Sequence, residues 1–234
     1  MTKIVKKTAG QVVAKKSDAF LDKVRAAKVV KPLDRSAVPK KTPRLVFAFD
    51  ATASREPAWD EARQITDRLF CSLPGGLDIA LAVHGGNTVH TFTPFSSDAR
   101  SFRDQAAGIS CIAGMTRLCT ILRRTIDAGG VKVLLYIGDT YEEDSAEAFA
   151  LADRCKLHGI RVLILADRAD AHALEVFHGI AARTDGAVLD FRAVPLKDMG
   201  DVLEAVAALA AGGRKLLEGK GTKGAQLLLS HLPK

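Results

Sequence analysis

LVFAFDATAS, residues Leu45 to Ser54, decides how the whole chain is read. Five apolar residues run without interruption from Leu45 to Phe49, as in a strand buried on both faces of a sheet. The run then stops on a carboxylate, Asp50, and hydroxyls follow at alternate positions, Thr52 and Ser54, with alanines between them. An exit of this kind fits a helix cap, a phosphoryl-transfer site or one part of a metal site.

Outward from that strand the pattern alternates. EPAWDEARQITDRLFCSL (56–73) has helical spacing at Trp59, Ala62, Ile65 and Leu69. GGLDIALAV follows as a strand, and NTVHTFTPF, after Gly85-Gly86, as its hairpin partner and an antiparallel edge. SSDARSFRDQAAGI (96–109) and TRLCTILRRTIDAGG read as helices. Then come the strand VKVLLYIG, the helix DSAEAFALADRCKLHG, the strand IRVLILA, the helix DAHALEVFHGIAART, the strand GAVLDF and a last helix ending near Gly212. Continuous apolar strands alternating with amphipathic helices predict an α/β fold. It is doubly wound, with a mostly parallel central sheet, one antiparallel edge strand and helices on both faces.

Charge divides the 234 residues into three parts. Residues 1–44 hold 13 Lys/Arg against 3 Asp/Glu, residues 45–212 hold 16 against 23, and residues 213–234 hold 5 against 1. The expected organisation is a basic, largely flexible arm over 1–43, a globular domain over 44–212, and a basic tail over 213–234 with room for a short helix in AQLLLSHL. Docking of that stretch on its own domain is favoured over docking on a partner. The basic arms are open to three readings: solvated tails, phosphate-binding segments for nucleic acid, or docking segments for acidic protein. They lack interleaved aromatics, which speaks against a stacking platform for single strands. No run approaches the ~18 apolar residues of a membrane span, and the basic N-terminus has no apolar signal core. Cys71, Cys111, Cys119 and Cys155 form no C-x-x-C pair and read as free, buried thiols in a reducing, cytoplasmic setting.

Several chemistries lack their residues. The turn after the first strand has no glycine, so no dinucleotide fingerprint is present, and neither a phosphate-binding Walker loop nor a G-x-S-x-G elbow occurs. A phosphoaspartyl hydrolase needs a second carboxylate two residues after the first; Thr52 stands there. In a doubly wound sheet, ligands gather at the carboxyl ends of strands, where strand order reverses. Asp50 and Asp139 end two strands expected to flank that point, and Thr116 of GMTRL opens the helix leading into the second. Two carboxylates and three hydroxyls, with no imidazole or thiolate, suit Mg²⁺, Mn²⁺ or Ca²⁺.

DATAS, the GMT threonine and the strand-terminal Asp139 together resemble the von Willebrand factor A (VWA) family, over about Arg44 to Gly212. The resemblance implies a Rossmann-like VWA fold with a metal-ion-dependent adhesion site. Thr52, Ser54 and Thr116 would bind the cation through hydroxyls, and Asp50 and Asp139 would set the charge. A partner protein's Asp or Glu would fill the open position. It implies a non-catalytic, intracellular, bacterial binding module, of a class that often assembles with ATPases. A nucleic-acid-associated protein acting through its arms, and a metal-assisted phosphohydrolase, are the alternatives. Two departures stand out: Thr52 replaces the commoner serine, and the usual T-D-G reads G-D-T, with Gly138 and Thr140 exchanged about Asp139. Glu142, Glu143 and Asp144 supply outer charge or cap the next helix. Ser54 also suits a helix cap, and Asp50 a solvated strand end. His84 and His90 flank the hairpin without metal-ligand spacing, and Trp59 reads as packing.

Overall fold

The computed structural model describes residues 42–53, 77–98 and 110–234. Ser54, Trp59, Cys71, His-free residues 1–41 of the arm, the helix read over 56–73 and most of that read over 96–109 lie outside the described residues.

Six strands form one sheet in the order β3-β2-β1-β4-β5-β6. β1 (Arg44–Asp50) pairs in parallel with β2 (Asp78–Gly85) on one side and β4 (Val131–Gly138) on the other. β5 (Arg161–Ala166) and β6 (Ala187–Asp190) extend the sheet in parallel beyond β4. β3 (Thr88–Phe92) returns antiparallel along β2 and forms one edge. The predicted fold class is therefore the observed one. Leu45 to Phe49 are all buried, because β1 is covered on both faces and paired on both edges.

Alternate residues of the strands feed two cores. Leu45, Phe47, Phe49, Leu135 and Ile137 join the core that includes residues of α4 (Leu196–Glu218) and α5 (Lys223–His231). Val46, Ala48, Leu134 and Tyr136 join the opposite core, with α1 (Leu118–Ala128), α2 (Ser145–Leu157) and α3 (Ala171–Arg183). Three of these helices start on side-chain caps, each satisfying an N–H that the first turn leaves unpaired. Asp144 Oδ1 accepts from Ala146 N–H at 2.9 Å, Asp170 Oδ1 from Ala173 N–H at 2.7 Å, and Thr222 Oγ1 from Ala225 N–H at 3.2 Å.

Residues 213–234 carry α5, whose Ala225 and Leu228 lie in the first core together with Leu217 and Leu232. α4 is interrupted where the sequence predicts its end: Gly213 has φ 69° and ψ −165°, a conformation open essentially to glycine alone. No helix of the described residues is long and apolar enough to cross a membrane.

A candidate metal centre at the carboxyl end of the sheet

Strand order reverses between β1 and β4, which are neighbours although two strands separate them in sequence. Phe49 pairs with Ile137, so Asp50 and Asp139 leave adjacent parallel strands within one residue of each other in register. Asp50 is fully buried and is not the solvated strand end that the sequence left open. Its Oδ1 accepts the backbone N–H of Thr52 at 2.9 Å, a local turn that bends the chain directly after the strand and buries Thr52.

Thr116 reaches this end of the sheet through a set of loop contacts. Ala51 N–H donates to His84 O at 2.8 Å, and Ile112 N–H donates to Ala51 O at 2.9 Å. The two-residue turn between β2 and β3 has positive φ at both Gly86 (54°) and Asn87 (68°), as a tight hairpin requires. Asn87 then holds the incoming loop twice. Its Oδ1 accepts from Met115 N–H at 2.8 Å, and its carbonyl accepts from Arg117 Nε at 2.8 Å. On the far side Thr116 and Glu142 exchange hydrogen bonds: Thr116 N–H donates to Glu142 Oε2 at 3.1 Å, and Glu142 N–H donates to Thr116 Oγ1 at 3.0 Å. Thr116 itself is fully buried.

The acidic run after Asp139 divides its work. Glu142 fixes the Thr116 loop. Glu143 Oε1 accepts from Cys119 N–H at 3.1 Å and so serves the start of α1, where the N-cap residue, Arg117, makes no side-chain cap. Asp144 caps α2. Burial pushes the Glu143 carboxyl above its ordinary range, against the opposing pull of N–H groups from Cys119 and Leu118.

Of the five residues singled out in the sequence, Asp50, Thr52, Thr116 and Asp139 are placed by β1, β4 and the two loops they anchor; Ser54 lies outside the described residues. Asp139 Oδ1 is a buried oxygen with no hydrogen-bond partner among the described residues. No three His, Cys, Asp or Glu side chains cluster as a ligand set among the described residues.

His84, read from the sequence only as flanking the hairpin, lies close to Asp50. It is the last residue but one of β2, in register with Asp50, and is fully buried. Burial, then His90 and Arg117, push its pKa down to about 3, so the ring is neutral. Its Nε2 lies 3.0 Å from the Tyr136 hydroxyl, and its Nδ1 lies 3.9 Å from Asp50 Oδ1. A distance of 3.9 Å is too long for a hydrogen bond, and a neutral ring makes no ion pair. The available signal was positional: a histidine stands one residue before the end of one strand, and an aspartate at the end of its neighbour.

Gly138 also finds an explanation. A Cβ there would lie 2.6 Å from the Tyr136 hydroxyl and ring edge. The tyrosine leans along β4 across the glycine toward His84, which accounts for glycine before Asp139 in G-D-T.

No family model and no curated protein matches the sequence. Solved structures do match. A von Willebrand factor type A protein from Catenulispora acidiphila superposes with a TM-score of 0.59 at 15% identity, over 74% of this chain and 43% of that one. The SpRpn10 VWA domain gives a TM-score of 0.55 at 12% identity, over 68% of this chain and 93% of that one. The chain has the fold of a VWA domain. A matrix protein of the mussel byssus, solved with zinc in its MIDAS motif, also superposes, with a TM-score of 0.55 at 14% identity. That match covers 70% of this chain and 45% of the mussel protein, so this chain spans under half the length of both the mussel and the Catenulispora proteins.

Proposed function

We propose that this VWA domain is a non-catalytic, cation-dependent protein-binding module. Asp50, Thr52, Ser54, Thr116 and Asp139 would hold one divalent cation, and a carboxylate of a partner protein would complete its coordination. The observation that carries the reading is the buried Asp139 Oδ1, without a hydrogen-bond partner among the described residues, directly after the strand neighbouring that of the buried Asp50 at the reversal of strand order. An unsatisfied buried carboxylate oxygen costs free energy, and a cation is the simplest group that would offset it. The cation would neutralise the two aspartates and attract an acidic side chain. The all-oxygen donor set favours Mg²⁺, Mn²⁺ or Ca²⁺, while zinc in the mussel relative's site makes Zn²⁺ a necessary comparison.

Thermal melting of the full chain, with and without each cation, tests the reading. Mg²⁺ or Mn²⁺ at about 100 times its Kd would add roughly 2.7 kcal/mol of stability and raise Tm. Asp139→Ala should melt at the same temperature with and without metal. A wild-type chain indifferent to all four cations would overturn the metal assignment. Capture of a partner by the wild type, lost in EDTA and in Asp139→Ala, would then test the binding role and identify the acidic protein.

A further inference from the structure

We propose that His84 is a positioning residue for this metal site: pinned by the Tyr136 hydroxyl, it turns Nδ1–H toward Asp50, 3.9 Å away, and orients that carboxylate electrostatically for the cation. The inference rests on the cation reading above.

The geometry is built from three strands. His84 and Asp50 are register partners on β2 and β1. Ala48 of β1 pairs with Tyr136 of β4 on one side and with Ala82 of β2 on the other. These small residues, with Gly138, leave the sheet surface open beneath the tyrosine ring. Tyr136 packs edge-on against Phe177 of α3 at 5.9 Å and lies nearly parallel to His84, at 13° and 5.8 Å. Tyrosine and histidine are therefore held as one buried unit directly under the exit of β1.

A neutral imidazole carries its proton on one nitrogen only. With the proton on Nε2, the tyrosine oxygen would accept it, and the Nδ1 lone pair would face the Asp50 carboxylate. With the proton on Nδ1, the tyrosine hydroxyl donates to Nε2, and the positive end of the N–H dipole faces Asp50. The second arrangement places attraction where the first places repulsion. In a buried setting that difference is amplified by the low dielectric. Among the described residues His84 Nδ1 has no hydrogen-bond partner, and Asp50 Oδ1 lies 3.9 Å from it. Outer groups that orient a metal-binding side chain typically matter 10- to 100-fold in affinity.

The test titrates Mn²⁺ onto the full chain, following bound metal by electron paramagnetic resonance and metal-free Tm alongside. His84→Asn keeps an amide nitrogen at the position of Nδ1, facing Asp50; His84→Gln keeps one at the position of Nε2, facing Tyr136. Both lose the ring, so their difference reports orientation and not packing. His84→Gln should weaken Mn²⁺ binding roughly 10- to 100-fold, and His84→Asn clearly less. Tyr136→Phe, which keeps the ring, should weaken binding in the same direction. In the metal-free wild type, ¹⁵N NMR should place the His84 proton on Nδ1. Equal affinity of His84→Gln and His84→Asn, or a proton on Nε2, overturns the proposal while leaving the cation site standing. A wild type that binds no Mn²⁺ overturns the cation reading itself, and this inference with it.

Discussion

At the scale of single residues, the candidate centre depends on side chains far from the motif that announced it. Thr116 is buried, and its hydroxyl and amide both bond to Glu142, 26 residues later. Glu143 is the neighbour with a measurable consequence. Its carboxyl titrates above the usual 4.5, chiefly through burial. A native-state value above the unfolded one means that the folded protein holds this proton more tightly. The stabilising contribution is then fully present below the unfolded value and is lost as pH rises through the folded one. Glu143→Gln imitates the protonated side chain and still offers an oxygen to Cys119 N–H. Its stability relative to wild type should therefore increase as pH rises from about 4 to about 7, as urea unfolding at several pH values would measure. A difference that is constant with pH would show that Glu143 titrates normally.

At the scale of elements, α4 contains a backbone joint that makes a second prediction. Gly213 sits at φ 69° and ψ −165° between two helical stretches. No neighbouring atom would obstruct an added Cβ, so the only obstacle to a side chain is the backbone conformation itself. Gly213→Ala should cost roughly 1–3 kcal/mol, read as a lower midpoint in urea with an unchanged slope. An unaltered midpoint would mean that the joint relaxes into an ordinary helix. This joint was visible in the sequence as a Gly-Gly pair closing an amphipathic run. The strands were equally plain, because a parallel strand buried on both faces needs an unbroken apolar string, and β1, β4 and β5 each supply one. The hairpin was legible because Gly86 and Asn87 tolerate positive φ. Asn87 as the anchor of the Thr116 loop was not legible, since its bonds to Met115 and Arg117 span about 30 residues and depend on where the loop folds back. The pairing of His84 with Tyr136 was not legible for a similar reason. Each looks like an isolated polar group in an apolar strand until register places them together.

At the scale of the whole molecule, the two faces of the sheet are covered by different means. One face carries α1, α2 and α3, each following or preceding a strand of the parallel sheet. Among the described residues, the other face is covered by α4 and by α5 from the basic end of the chain. α5 is short and would be marginal alone in water, so its order comes from packing. Ala225, Leu228 and Leu232 are buried against that core. Burying a leucine side chain contributes about 1.5–3 kcal/mol, an upper figure because an unfolded chain already hides some of that surface. Two leucines and an alanine thus approach the ~5–15 kcal/mol that separates folded from unfolded domains. Deleting residues 221–234 should lower Tm sharply and increase binding of a hydrophobic dye, because Leu217 and Leu209 would lose their cover. The deletion lies at the end of the chain opposite in sequence to β1 and does not touch Asp50, Thr52, Thr116 or Asp139. If the metal site is assembled by the sheet, saturating Mn²⁺ should recover part of the lost Tm by binding the folded state alone. An unchanged Tm after deletion would show that α5 adds nothing to the core. A lowered Tm that Mn²⁺ does not raise, against a metal response in the full chain, would show that the site depends on the covered face as well as on the sheet.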